Sequence, residues 1–200
     1  AGGCASSSGG SSAPKPGSGI AEYRKVAREA HRSVAATVKS LEALAQPDLQ
    51  TSTPHPALAG FDRAFGRLEL TSVKARARAE AIIARGQAYF DEWKEQLGGI
   101  TNQPAAATAA KRYDRLFEHF GRVRQRSGEV RDEFRPFMTQ LREFRARLDK
   151  TPIPADGEAF RKELDGLTAH GRRVLQTLES VSTALDDADP NKQKAFIESI

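Results

Sequence analysis

One cysteine among 200 residues excludes an internal disulfide framework and any zinc site built on thiolates, so that thiol is free, shared with another chain or modified. No run of about 20 apolar residues occurs, and no segment reads as a membrane-crossing helix. No stretch alternates apolar and polar residues with β-branched enrichment, which removes strands from the reading. A His-Glu-x-x-His zinc helix, a glycine-rich phosphate loop and a Gly-x-Ser-x-Gly elbow are all missing. The Glu-x-x-His pairs from which four-helix bundles build di-iron sites are missing too. His31, His55, His119 and His170 fall on four different segments and read as surface or boundary histidines. The expectation is a protein that is not an enzyme and carries no metal or cofactor.

What the chain does have is helical spacing. With 38% hydrophobic and 28% charged residues it can form one domain with a core. From Ile20 the apolar positions step by three and four. The first segment reads Ile20, Tyr23, Ala27, Ala30, Val34, Thr37, Leu41, Leu44 and stops before Pro47. The second, after PDLQTSTPHP, reads Leu58, Phe61, Phe65, Leu68, Ser72, Ala75, Ala79, Ile82, Gly86, Tyr89, Trp93, Gln96 and closes at Gly98-Gly99. The third starts near Pro104 and reads Tyr113, Leu116, Phe120, Val123, Ser127, Val130, Phe134, Phe137, Leu141, Phe144, Leu148. The fourth, after TPIPADG, reads Phe160, Leu164, Leu167, Gly171, Val174, Leu178, Val181, Leu185 and ends before Pro190.

The fold class expected is therefore all-α: an elongated, antiparallel up-down bundle of four helices with coiled-coil packing. The second and third helices, roughly 60 Å long, outreach the other two. Residues 83–117 should then protrude as a two-helix hairpin. Folding the chain about residues 100 and 101 also sets Pro136, Phe65-Gly66 and His170-Gly171 at one height, where the proline should kink its own helix and the two glycines let the neighbours bend alongside, giving a bent bundle.

The thiol has its own context. Ala1-Gly2-Gly3-Cys4 reads like the end of a bacterial lipoprotein signal peptide, in which small residues precede the cysteine that becomes acylated, although Ala1 stands where Leu is commonest. Residues 5–19 are Gly, Ser, Ala, Pro, one Lys and little else, the composition of a flexible spacer. Ala5-Ser6 lacks the Asp that marks inner-membrane retention, which favours the outer membrane. The organisation expected is a lipobox remnant and tether over 1–19, the bundle over 20–189 and a tail over 190–200.

The runs GQAYFDEWKEQL at 86–97, KRYDRL at 111–116 and RPFMTQLREFRARLD around Pro136 resemble a family of uncharacterised Gram-negative lipoproteins, a domain of unknown function numbered family 2959. After Leu148 the chain departs from that pattern, with TPIPADG in place of a longer polar and basic run. The resemblance implies a helical, periplasm-facing, membrane-tethered protein of the cell envelope. It supplies no activity and no functional residues.

Charge is uneven, with a net of plus 5 over residues 104–150 and minus 4 over residues 154–189. Neighbouring helices of opposite sign should compensate each other. The leading functional expectation is a structural or interaction protein, a lipid-tethered scaffold or spacer that works through an envelope partner or by self-association. Its partner surface would be the hairpin residues Tyr89, Phe90, Trp93, Leu97, Tyr113 and Phe117, with Phe90, Leu97 and Phe117 beside the seam. The alternative is a binding module for an anionic envelope polymer or membrane surface, using Arg112, Arg115, Arg122, Arg124, Arg126 and Arg131. Nucleic acid is the least favoured partner of the basic chain.

Overall fold

A computed structural model of the chain describes residues 18–45, 56–150 and 157–188. Cys4 with its spacer, His55 and the tail from 189 onward lie outside the described residues. Four helices, and among the described residues no strand, make up the fold: α1 (Ser18–Leu44), α2 (Pro56–Gly98), α3 (Gln103–Leu148) and α4 (Glu158–Asp187). The punctuation acts where the sequence placed it. Gly98 ends α2 and Asn102 caps α3, its Oδ1 accepting the Ala105 N–H at 3.0 Å, while Pro104 occupies the first turn, where a missing N–H costs nothing. At 1.5 Å per residue α2 and α3 run about 65–70 Å and α1 and α4 only about 40–45 Å.

The helices form a closed ring in the order α1, α2, α3, α4, each packed on the next and α4 back on α1; the α2–α3 seam is the sparsest. Its side chains explain this: Phe61, Phe65, Phe144, Phe90 and Phe120 hold those axes apart, whereas α1 and α4 meet through Ala27, Gly171 and Ala184. The core has two layers. One is centred on Phe61, Phe137, Leu141, Phe144 and Leu164, the other on Tyr23, Ile82, Val123, Val181 and Leu185, and half-buried Val130 touches both. In the second layer the Tyr23 hydroxyl donates to Ser127 Oγ across the bundle, and burial pushes the Tyr23 phenol above its ordinary pKa, with the Ser127 bond opposing that shift.

Register differs from the sequence-based arithmetic by one turn between α2 and α3. Folding about residues 100 and 101 would set Phe61 opposite Gln140; Phe61 instead meets Phe144, rings 5.5 Å apart. The physical reason lies in the hairpin, where Phe120 fills the space left by Gly86 and fixes the offset: a Cβ at Gly86 would lie 2.5 Å from the Phe120 ring. Helix α3 runs through Pro136 without interruption. Of the two glycines expected to ease a bend there, Gly66 faces open space, and only Gly171 is a true close approach.

Gly171 yields a paired expectation. A Cβ there would sit 2.5 Å from Val38 Cγ2 and 3.1 Å from the Phe137 ring. Val38 is β-branched and held to one rotamer in a helix, so α1 itself must move. Gly171→Ala should therefore destabilise by about 1–3 kcal/mol although alanine is the better helix former. Gly166, on the same helix with nothing near its missing Cβ, should gain about 0.5–1 kcal/mol on the same change. Urea melts of both variants read the difference; equal signs would place α1 elsewhere.

Candidate functional site

Three chain features meet at one end of the bundle. Glu22, on the first turns of α1, pairs with Arg85 of α2 at 2.7 Å. Arg24 pairs with Asp186 at the end of α4 at 2.9 Å and donates to the Leu185 carbonyl. Beyond this level α2 and α3 continue as the protruding hairpin, for about 15–20 Å at 1.5 Å per residue. The start of α1, the end of α4 and the root of the hairpin thus share one end.

The hairpin is held by aromatic packing. Phe90 lies at its centre, with ring centroids 5.2 Å from Phe120, 5.4 Å from Phe117, 5.8 Å from Tyr113 and 6.2 Å from Trp93. Trp93 also meets Tyr113 edge-on at 5.5 Å, and Tyr89 lies against both Phe90 and Trp93. Such pairs add about 0.5–1.5 kcal/mol each beyond the area they bury.

Here the seam corrects the sequence reading by one position. Spacing put Tyr89 on the seam and Phe90 beside it; Phe90 is buried and Tyr89 is 44% exposed. From Gly86 the buried line steps by four to Phe90 rather than by three to Tyr89, because two helices without a third layer close around the largest wholly apolar ring. Leu97 and Trp93 are half-buried, Phe117 and Ile100 exposed. The structure thus gathers Tyr89, Phe90, Trp93, Tyr113 and Phe117 into one cluster and adds Phe120, a seam position by spacing. Past the cluster, residues 96–110 carry no charged side chain, with Ile100 and Ala105 exposed at the tip.

The six arginines of the alternative site do not form one patch. Arg112, Arg115, Arg122 and Arg126 lie along one stripe of α3, with Arg124 and Arg131 on another flank, and all six are exposed. Arg122 pairs with Glu118 and approaches His119 Nδ1 at 2.6 Å, Arg126 pairs with Glu129 at 2.8 Å, and Arg131 with Asp132 at 3.1 Å. Arg124 donates to Gln87 of α2 at 3.1 Å. Burial, and then the Arg122 charge, lower the His119 pKa below its ordinary value. The expected cancellation of α3 by α4 is mostly absent. Arg142 and Arg145 pair with Glu69 and Asp62 of α2, while across the α3–α4 face Arg147 pairs with Glu163 and Glu133 with Arg173. The α4 acids Glu179 and Asp186 turn to α1, because α4 is wedged between α1 and α3 and only one flank faces each.

That wedge also buries His170, against the expectation of a surface or boundary histidine. Its Nε2–H donates to the Glu133 carbonyl at 3.1 Å, Nδ1 lies 2.8 Å from the Gln140 side-chain amide, and the ring packs on Phe137. Both ring nitrogens have polar partners on α3, with the Glu133 carboxylate also 3.3 Å from Nε2, so it reads as a structural histidine. Among the described residues no cluster of three or more His, Cys, Asp or Glu could hold a metal ion, and no helix is long and apolar enough to cross a membrane.

Comparison with protein-family models, with curated proteins and with solved structures finds no match to this chain.

Proposed function

We propose that this protein is a lipid-anchored, periplasm-facing component of a Gram-negative envelope: a helical rod that spaces or scaffolds a partner, without catalysis. The observation that carries the reading is the division of the bundle into a packed four-helix body and an aromatic two-helix arm at the end where the Cys4 spacer joins α1. Function in such an arrangement lies in surface and reach rather than in a pocket. The resemblance to family 2959 agrees with this reading in class and adds nothing about the partner.

The anchor is tested in the full precursor, where Cys4→Ser should move the protein from the membrane to the soluble fraction, since the described helices offer no span to replace an acyl chain. Retention of the variant in the membrane would overturn the anchor. The arm is tested by in-cell crosslinking, whose products should change when Tyr89 and Trp93 are replaced by Ala.

The polymer-binding alternative has less support. Four of its six arginines are engaged with neighbouring side chains, and exposed pairs of this kind contribute about 0–1 kcal/mol and are screened by salt.

A further inference from the structure

We propose that the tip of the hairpin, residues 96–110, is a second membrane contact that inserts into the interface of the bilayer carrying the Cys4 anchor. This rests on the lipoprotein reading and goes beyond it, because it assigns a lipid surface to the far end of the arm.

Four observations converge. The hairpin projects from the end where α1 begins, as the Glu22–Arg85 pair fixes, so the chain that precedes Ser18 joins the body at the root of the arm. The arm extends about 15–20 Å past that level, and the 13 residues between Cys4 and Ser18 have a Gly/Ser-rich composition whose reach is roughly 20 Å. A body held at that distance brings the tip to the headgroups. The tip is uncharged over residues 96–110 and exposes Ile100, with Leu97 half-buried beside it. Behind it stand Tyr89, Trp93 and Tyr113, side chains whose apolar rings and polar ends favour the membrane–water boundary.

Charge sets the depth. Lys94 and Glu95 on α2 lie about 5 Å behind Gly98, and Lys111 and Arg112 on α3 about 12 Å behind Gln103. Insertion therefore stops after roughly one turn, at the headgroup–acyl boundary where interfacial helices rest. Hairpin residues 85–118 hold five basic and five acidic side chains, so the contact is apolar and needs no anionic lipid. Of the arginine stripe of α3 only Arg112 and Arg115 fall within the hairpin, and both stand behind the inserted tip.

The test uses the full chain with the Cys4 thiol coupled to a maleimide-bearing phospholipid in phosphatidylcholine vesicles. Trp93, the only tryptophan, should shift to shorter wavelength and be quenched by lipids brominated near the headgroup. Both signals should be lost in the Leu97→Glu, Ile100→Glu double variant, and the unchanged helical signal and melting temperature of that variant would show that the body still folds. Three results overturn the proposal: no lipid quenching of the coupled protein, equal quenching of the double variant, or a Trp93 already shielded from aqueous quencher without vesicles. In the last case, loss of shielding on deleting residues 189–200 assigns the surface to the tail, and concentration dependence assigns it to a second copy. Chemical coupling makes this result independent of acylation in cells, which the Cys4→Ser fractionation reads separately.

Discussion

Phe137→Ala should lower stability by about 3–5 kcal/mol, the range for truncating a fully buried phenylalanine. The ring is fully buried in the first core layer, against His170 and the bare face of Gly171. Truncation removes the transfer contribution of the ring and leaves a cavity that cannot collapse easily. Gly171 has no side chain to lean in, and His170 is fixed by Gln140 and the Glu133 carbonyl. Half-buried Phe134, one turn earlier and 6.5 Å away ring to ring, should lose clearly less on the same change. Urea unfolding followed by circular dichroism measures both. Equal losses would mean that α3 is rotated relative to this arrangement.

The second large effect comes from a buried charge. Val34→Asp should cost roughly 3 kcal/mol or more, because Val34 is fully buried in α1 and a carboxylate there would lose its water without gaining a cation. Val130→Asp should cost distinctly less. Sequence spacing gives the two valines the same status on their seams, yet Val130 is only half-buried between the two core layers, and a carboxylate there can reach solvent. Melting temperatures of the two variants at one pH rank them, and a reversed order would contradict the layering.

Much of the fold was readable because few side chains carried conflicting information. Gly98-Gly99 and Pro104 mark the end of α2 and the start of α3 by backbone chemistry that acts locally, and the structure adds the Asn102 cap. The length mismatch follows from those ends alone, and with it the hairpin. The wider stripes of α1 and α4 were less legible. Val26, Val38, Thr168, His170 and Ala184 are buried because these two helices face neighbours on two flanks, which no single heptad seam describes. Spacing also chose Tyr89 over its neighbour Phe90, an aromatic of similar size, and packing reverses that choice.

The sequence by itself determined four helices, their order, their unequal lengths and their antiparallel up-down course, since these depend on local stop signals and on a repeat near 3.5 residues; the closure of α4 on α1 came from the structure. Only the tertiary structure decided which flank of each helix is buried and which charges meet. It also set the one-turn offset between α2 and α3, and put Phe90 rather than Tyr89 at the centre of the arm. Those choices rest on side-chain volume at points of close approach, Gly86 under Phe120 and Gly171 under Val38 and Phe137. Packing at native density is resolved between residues far apart in the chain, where a periodic pattern carries no information.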